Sequence, residues 1–169
     1  MDGAYVSLTS QLVLATDVLS TPNDRANFEA MIDALCDDVG TPDTLLADAG
    51  YAGENIVSGL AARGIDPLIA IARGDGGRTY DFRPPPEDPK PPRSITAPWR
   101  VAMQQKLQTE DAKETYRKRK STVEPVFGII KSVLGFTRFS LRGIDKVKNE
   151  WTLITLAYNC KRLARLMAA

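Results

Sequence analysis

β-branched and apolar positions dominate the start of the chain. In AYVSLT and QLVLATDVL, over residues 4–19, β-branched and apolar residues predict two extended segments, with Ser10 at the turn between them. Thr21-Pro22-Asn23-Asp24 then breaks the pattern and predicts a helix start, with Asn23 or Asp24 as N-cap. Phe28, Met31, Ile32, Leu35 and Cys36 recur at helical spacing, and Gly40 ends the run. Thr44 to Ala47 reads as a short buried strand with Asp48 at its carboxyl end. Glu54 to Arg63 reads as a helix closed by Gly64. Asp66-Pro67 is expected to turn the chain into a further strand, LIAIA, residues 68–72. Strand, helix, strand, helix and strand in succession predict a layered α/β fold.

The pattern changes after residue 72. Gly74, Gly76 and Gly77 are followed by seven of the eleven prolines, at 84, 85, 86, 89, 91, 92 and 98. Residues 73–98 are expected to form an extended surface insertion within a single domain spanning 1–169. Its glycines are not followed by a helix N-terminus and do not read as a phosphate loop. From Trp99 the chain reads as mostly helical. One helix is expected over about 99–119, and a second from a Ser121-Thr122 cap to about Leu134. A third, over about 147–167, has Trp151, Ile154, Leu156, Tyr158, Leu163 and Leu166 as its packing residues.

Composition removes several chemistries. The chain has no histidine, which excludes Ser-His-Asp and Cys-His catalysis and histidine-ligated zinc. Carboxylates with a hard metal are the tools that remain for an enzyme. Cys36 and Cys160 lack a CxxC neighbour and read as reduced core thiols. No apolar run approaches the ~20 residues that span a bilayer, and the N-terminus has no signal-peptide profile, so cytoplasm is the expected location. The overall charge of +1 divides unevenly, with −8 over residues 1–95 and +9 over 96–169. A basic C-terminal half suits an anionic partner such as nucleic acid. Pairing between the two halves is the alternative reading.

Two carboxylates draw attention. Asp48 lies at a strand end where α/β sheets place ligands, or else it caps the following turn. Glu124 in 116-YRKRKSTVEPVFGIIK-131 suits the positive end of a helix beginning at Ser121 or Thr122, with Pro125 in its first turn. It also shares one helical face with Gly128 and Lys131, while Val123, Val126, Phe127, Ile130, Val133 and Leu134 occupy the other. Gly128 sacrifices about 1 kcal/mol of helix propensity relative to Ala, which suggests that its small size is needed.

The run Tyr116, Arg119 or Lys120, Glu124, Lys131 resembles the Tyr-Arg-Glu-Lys signature of DDE-type bacterial insertion-sequence transposases. Arg119 meets its first spacing, Lys120 its second, and the Glu-to-Lys step fits. The string 46-LADAGYAG-53 resembles the second-aspartate motif of that family, and 136-FTRFSLRGIDKVKNEWTLITLAYNCKRL-163 resembles its tail. The resemblance implies a ribonuclease H-like mixed sheet flanked by helices, with a helical C-terminal half. It implies metal-dependent cleavage and joining of DNA at transposon ends, with Mg²⁺ (Mn²⁺ as substitute) held by Asp48 and Glu124. Tyr116, Arg117, Arg119, Lys120 and Lys131 would contact DNA, and a homodimer would act on paired ends. The family also places a first aspartate on a first strand. Here only two strands precede the first helix, so the chain reads as the C-terminal portion of such an enzyme, inactive alone. Asp17 is the weaker candidate for the first acid, and Asp2 lies at an end expected to fray. A non-catalytic DNA-binding remnant and an α/β interaction module are the alternative readings.

Overall fold

The computed structural model describes residues 2–18, 28–71 and 95–168. In chain order the elements are β1 (Asp2–Val6), β2 (Val13–Val18), α1 (Phe28–Val39), β3 (Thr44–Ala47), α2 (Glu54–Ala62), β4 (Asp66–Ile69), α3 (Pro98–Gln108), α4 (Glu110–Ser132) and α5 (Ile144–Met167). The α/β alternation read from the sequence is present. The expected cap at Asn23 or Asp24, Ala72 of the expected LIAIA strand, and residues 73–94 of the Gly/Pro-rich stretch lie outside the described residues. Pro98, placed in that stretch by composition, instead opens α3, where its missing N–H costs nothing.

β1 and β2 form an antiparallel hairpin in which Val6 faces Val13 and Tyr5 faces Ala15. Leu14 is therefore an extra residue, a bulge that shifts the alternation by one. Val13 and Val18, five positions apart, consequently enter the same core. β3 and β4 pair in parallel, from Thr44 opposite Asp66 to Ala47 opposite Ile69. Asp66-Pro67 thus opens β4 and is not the expected turn. An outer strand tolerates the proline because that edge needs no donor, and the Pro67 carbonyl accepts a hydrogen bond from Lys106 Nζ at 2.9 Å. Among the described residues the strands of the expected mixed sheet fall into two pairs. An antiparallel pair and a parallel pair stand side by side, with no ladder joining them among the described residues.

Two cores cover the strands. Phe28 and Ile32 of α1 and Ile56 and Leu60 of α2 pack with Leu45 and Ile69. Val126 and Ile130 of α4 pack with Trp151 and Tyr158 of α5 against Val13 and Val18. β1 serves both cores, because successive strand side chains point to opposite sides. Tyr5 enters the first, while Ala4 and Val6 enter the second.

The helical half differs from expectation at its breaks. The chain breaks at Thr109, whose extended backbone ends α3 and whose hydroxyl accepts the Ala112 N–H at 3.4 Å. Ser121 and Thr122 are not caps. They lie inside the 23-residue α4, and both hydroxyls donate to the Lys118 carbonyl, at 3.0 and 2.7 Å. Pro125 is likewise internal, and its missing N–H leaves the Ser121 carbonyl without a helical donor. Gln11 Nε2 donates to that carbonyl instead, at 3.2 Å from the hairpin turn.

Gln11 has a φ of 58°, a left-handed conformation that is uncommon for a residue with a side chain. Contacts from α5 hold the turn in place. Tyr158 Oη donates to the Gln11 carbonyl at 3.0 Å, and Arg162 Nε donates to the Ser10 carbonyl at 2.7 Å. Asn159 accepts the Val13 N–H at 2.9 Å and donates to the Val13 carbonyl at 2.7 Å, as a neighbouring strand would.

α5 begins at Ile144, three residues earlier than expected, after Gly143 with φ of 91°. It buries only the stripe through Trp151, Thr155 and Tyr158. Leu156, Leu163 and Leu166 are exposed and do not join the core, because one helix lays a single stripe on β2. Val133 is exposed too. Of the two free thiols, Cys36 is half-buried and Cys160 exposed, so Cys160 is not the core residue expected.

Replacing Asn159 with Ala removes both bonds to Val13. It should lower unfolding stability by about 2 kcal/mol, measured as a lower urea midpoint with an unchanged slope.

Candidate active site

β3 delivers Asp48 to the carboxyl end of the parallel pair. Asp48 is extended, with φ −84° and ψ 178°, and its Oδ1 accepts the Gly50 N–H at 2.9 Å to start a short 3-10 turn over Ala49–Tyr51. The capping role weighed from sequence is therefore real, and it leaves the carboxylate exposed. A Cβ on Gly50 would stand 3.0 Å from that same oxygen, which explains glycine in the motif.

α4 is fastened beside this carboxylate. Tyr116 Oη donates to the Ala47 carbonyl at 3.0 Å, a carbonyl that the Ala70 N–H also reaches at 3.1 Å. Burial raises the pKa of Tyr116; the nearby Arg119 charge opposes the shift and the Asp48 charge adds to it. The phenol is thus a neutral donor at physiological pH. Arg119 lies against the Tyr116 ring, its Cζ 5.7 Å from the centroid. Arg119 is half-buried, and its Nε is buried with no hydrogen-bond partner among the described residues.

Glu124 lies eight residues further along the same helix, about 12 Å of axial rise beyond Tyr116. Glu124, Gly128 and Lys131 form an exposed face, as the spacing predicts. A Cβ at Gly128 would meet nothing within 4 Å, so no contact among the described residues requires its small size. Arg117 and Lys120 are exposed, and neither they nor Lys131 joins an ion pair among the described residues. Of the basic residues singled out, Arg119 alone turns inward.

Asp17 lies elsewhere, near the end of β2. It accepts the Val18 N–H at 2.8 Å and pairs with Lys148 Nζ at 2.8 Å. Asp2 opens β1. Among the described residues, no three of His, Cys, Asp and Glu converge as a metal would require. Asp48 and Glu124 are donors of the right chemistry for a hard divalent cation, but the described residues do not complete a centre for it. Lys148 with Asp17 and Lys106 with Asp66 link the basic half to the acidic half. The exposed cations of α4 take no part in that pairing.

The transposase DDE domain family matches residues 4–160. The chain belongs to this transposase family. No curated protein and no solved structure matches it. Transposases of this family carry out DNA transposition and generally use a divalent metal. Among the described residues, no helix of this transposase is long and apolar enough to cross a membrane. Sequence reasoning missed the inward turn of Arg119 and the burial of the Tyr5 hydroxyl. Neither has a local signal, since both depend on which element packs opposite.

Tyr116→Phe removes the bond from α4 to the Ala47 carbonyl. The expected cost is about 1 kcal/mol of stability, read from denaturant unfolding of the two proteins side by side.

Proposed function

We propose that residues 1–169 are a transposase catalytic domain for metal-dependent phosphoryl transfer, the cleavage and joining of DNA strands at transposon ends. The family match carries this reading. Asp48 and Glu124 are its catalytic and metal-binding carboxylates, with Mg²⁺ as the ion and Mn²⁺ as its substitute. Arg117, Lys120 and Lys131 neutralise DNA phosphates. Tyr116 sets α4 against the end of β3, and Arg119 steadies Tyr116. Asp17 serves the fold through Lys148. The protein works in the cytoplasm as a homodimer on paired DNA ends.

Among the described residues two carboxylates fall short of a complete centre, and the chain alone binds DNA without cutting it. The shortage of acid also favours a second reading, a transposase remnant that binds DNA and has no catalytic role. Both readings place DNA on the same face, where exposed cations flank a carboxylate with no ion-pair partner among the described residues.

Incubation with supercoiled DNA and Mg²⁺ or Mn²⁺ should leave the DNA intact. Metal-dependent nicking that Glu124→Ala abolishes would mean that the centre is complete. Binding to a DNA duplex should weaken as salt rises, and each of Arg117→Ala, Lys120→Ala and Lys131→Ala should reduce the log–log salt slope by roughly 0.9 per lost phosphate contact. Absence of binding even at low salt would return the chain to the interaction-module reading.

A further inference from the structure

The segment 133–143 between α4 and α5 forms no helix or strand, yet two anchors on α5 hold it. The first is aromatic. Phe136 and Phe139 both pack on Trp151, with ring centroids 6.1 and 6.3 Å away, and meet each other edge-on at 5.2 Å. The second is Glu150, one residue before Trp151. Its carboxylate accepts the Ser140 N–H at 2.9 and 3.1 Å and the Leu141 N–H at 3.0 Å. These main-chain donors, Leu141 first and then Ser140, hold the Glu150 carboxyl below its ordinary pKa, so it is ionised at neutral pH.

Arg138 falls between Phe136 and Phe139 in this pinned loop. It is exposed and joins no ion pair among the described residues, with Glu150 or any other acid. Arg138 lines a cavity of about 210 Å³ together with Lys131, from the last turn of α4. Phe127, Phe136, Phe139 and Trp151 line the same cavity, and no acidic residue does. Two like charges that share a space without a counterion repel each other. An anion entering that space would relieve the repulsion, and a guanidinium matches the paired oxygens of a phosphate.

We propose that Arg138 is a further DNA-phosphate contact beside Lys131, and that Glu150 is the positioning residue that holds its loop in place. This inference rests on the reading that the exposed cations of α4 meet DNA. A loop that must be ordered on binding loses affinity to that ordering. Glu150 and the aromatic cluster order this loop in advance, so that the Arg138 backbone is already set when a phosphate arrives. A negatively charged residue therefore strengthens binding to a negatively charged partner, opposite to the effect of its charge alone. The contact needs no metal.

The probe is a labelled random-sequence DNA duplex, titrated in EDTA over a range of salt concentrations and followed by fluorescence anisotropy. Arg138→Ala should reduce the log–log salt slope by roughly 0.9, additively with Lys131→Ala, and Arg138→Lys should keep the slope of the unaltered chain. Glu150→Gln, checked for fold by circular dichroism, sets an amide NH₂ against a main-chain N–H that the carboxylate had accepted. It also removes a negative charge, which by itself would tighten binding. Weaker binding is expected instead, with faster amide exchange at Ser140 and Leu141. In an Arg138→Ala background, Glu150→Gln should weaken binding no further. A slope unchanged by Arg138→Ala, tighter binding by Glu150→Gln, or an equal loss from Glu150→Gln with and without Arg138 would overturn the proposal and leave DNA binding by α4 standing. No binding by the unaltered chain even at low salt would overturn both.

Discussion

One missing hydrogen bond organises much of this chain. Pro125 deprives the Ser121 carbonyl of its donor in the middle of a long helix, and the hairpin turn stands where it can replace that donor. Gln11 reaches the carbonyl only because its backbone takes a left-handed turn. That turn is held in turn by Tyr158, Asn159 and Arg162 of α5. A helix, a hairpin and a second helix are thus joined through side chains that bond main-chain groups of the hairpin turn and of α4. The same linkage fixes where α4 runs, and α4 carries Tyr116, Arg119, Glu124 and Lys131.

Much of the fold was legible because burial repeats at strand and helix periods. Thr44 to Ala47, Glu54 to Ala62 and the first helix ending at Gly40 each carry a pattern with a clear stop. The errors have specific causes. Ser121-Thr122 followed by Pro125 has the composition of a helix start, but a hydroxyl can equally bond the carbonyl one turn back. Nothing local reveals that Gln11, more than a hundred residues earlier, accommodates the proline. Asp66-Pro67 reads as a turn until β3 is known to lie on one side only. The apolar residues of α5 exceed what one packed stripe can bury, and periodicity alone did not choose among its faces.

The candidate site was legible as residue types and less so as an assembly. Asp48 and Glu124 stand on different elements, and Tyr116 fastens α4, which carries Glu124, to the end of β3, which precedes Asp48. Asp17 looked similar in sequence, yet its partner Lys148 draws it into the structural frame. Charge sorts in the same way. Some of the basic half pairs with the acidic half, while Arg117, Lys120 and Lys131 on α4 stay exposed outside that pairing among the described residues.

The unbroken course of α4 makes it a measuring rod. Had the chain paused at Ser121, the segments before and after could slide or pivot independently. In one continuous helix, each residue added between Tyr116 and Glu124 would turn everything beyond it by about 100° and advance it by about 1.5 Å. The interval is therefore permissive toward exchanges of exposed side chains and intolerant of insertions or deletions. Its length, more than its composition, keeps the anchored tyrosine and the outward glutamate in phase.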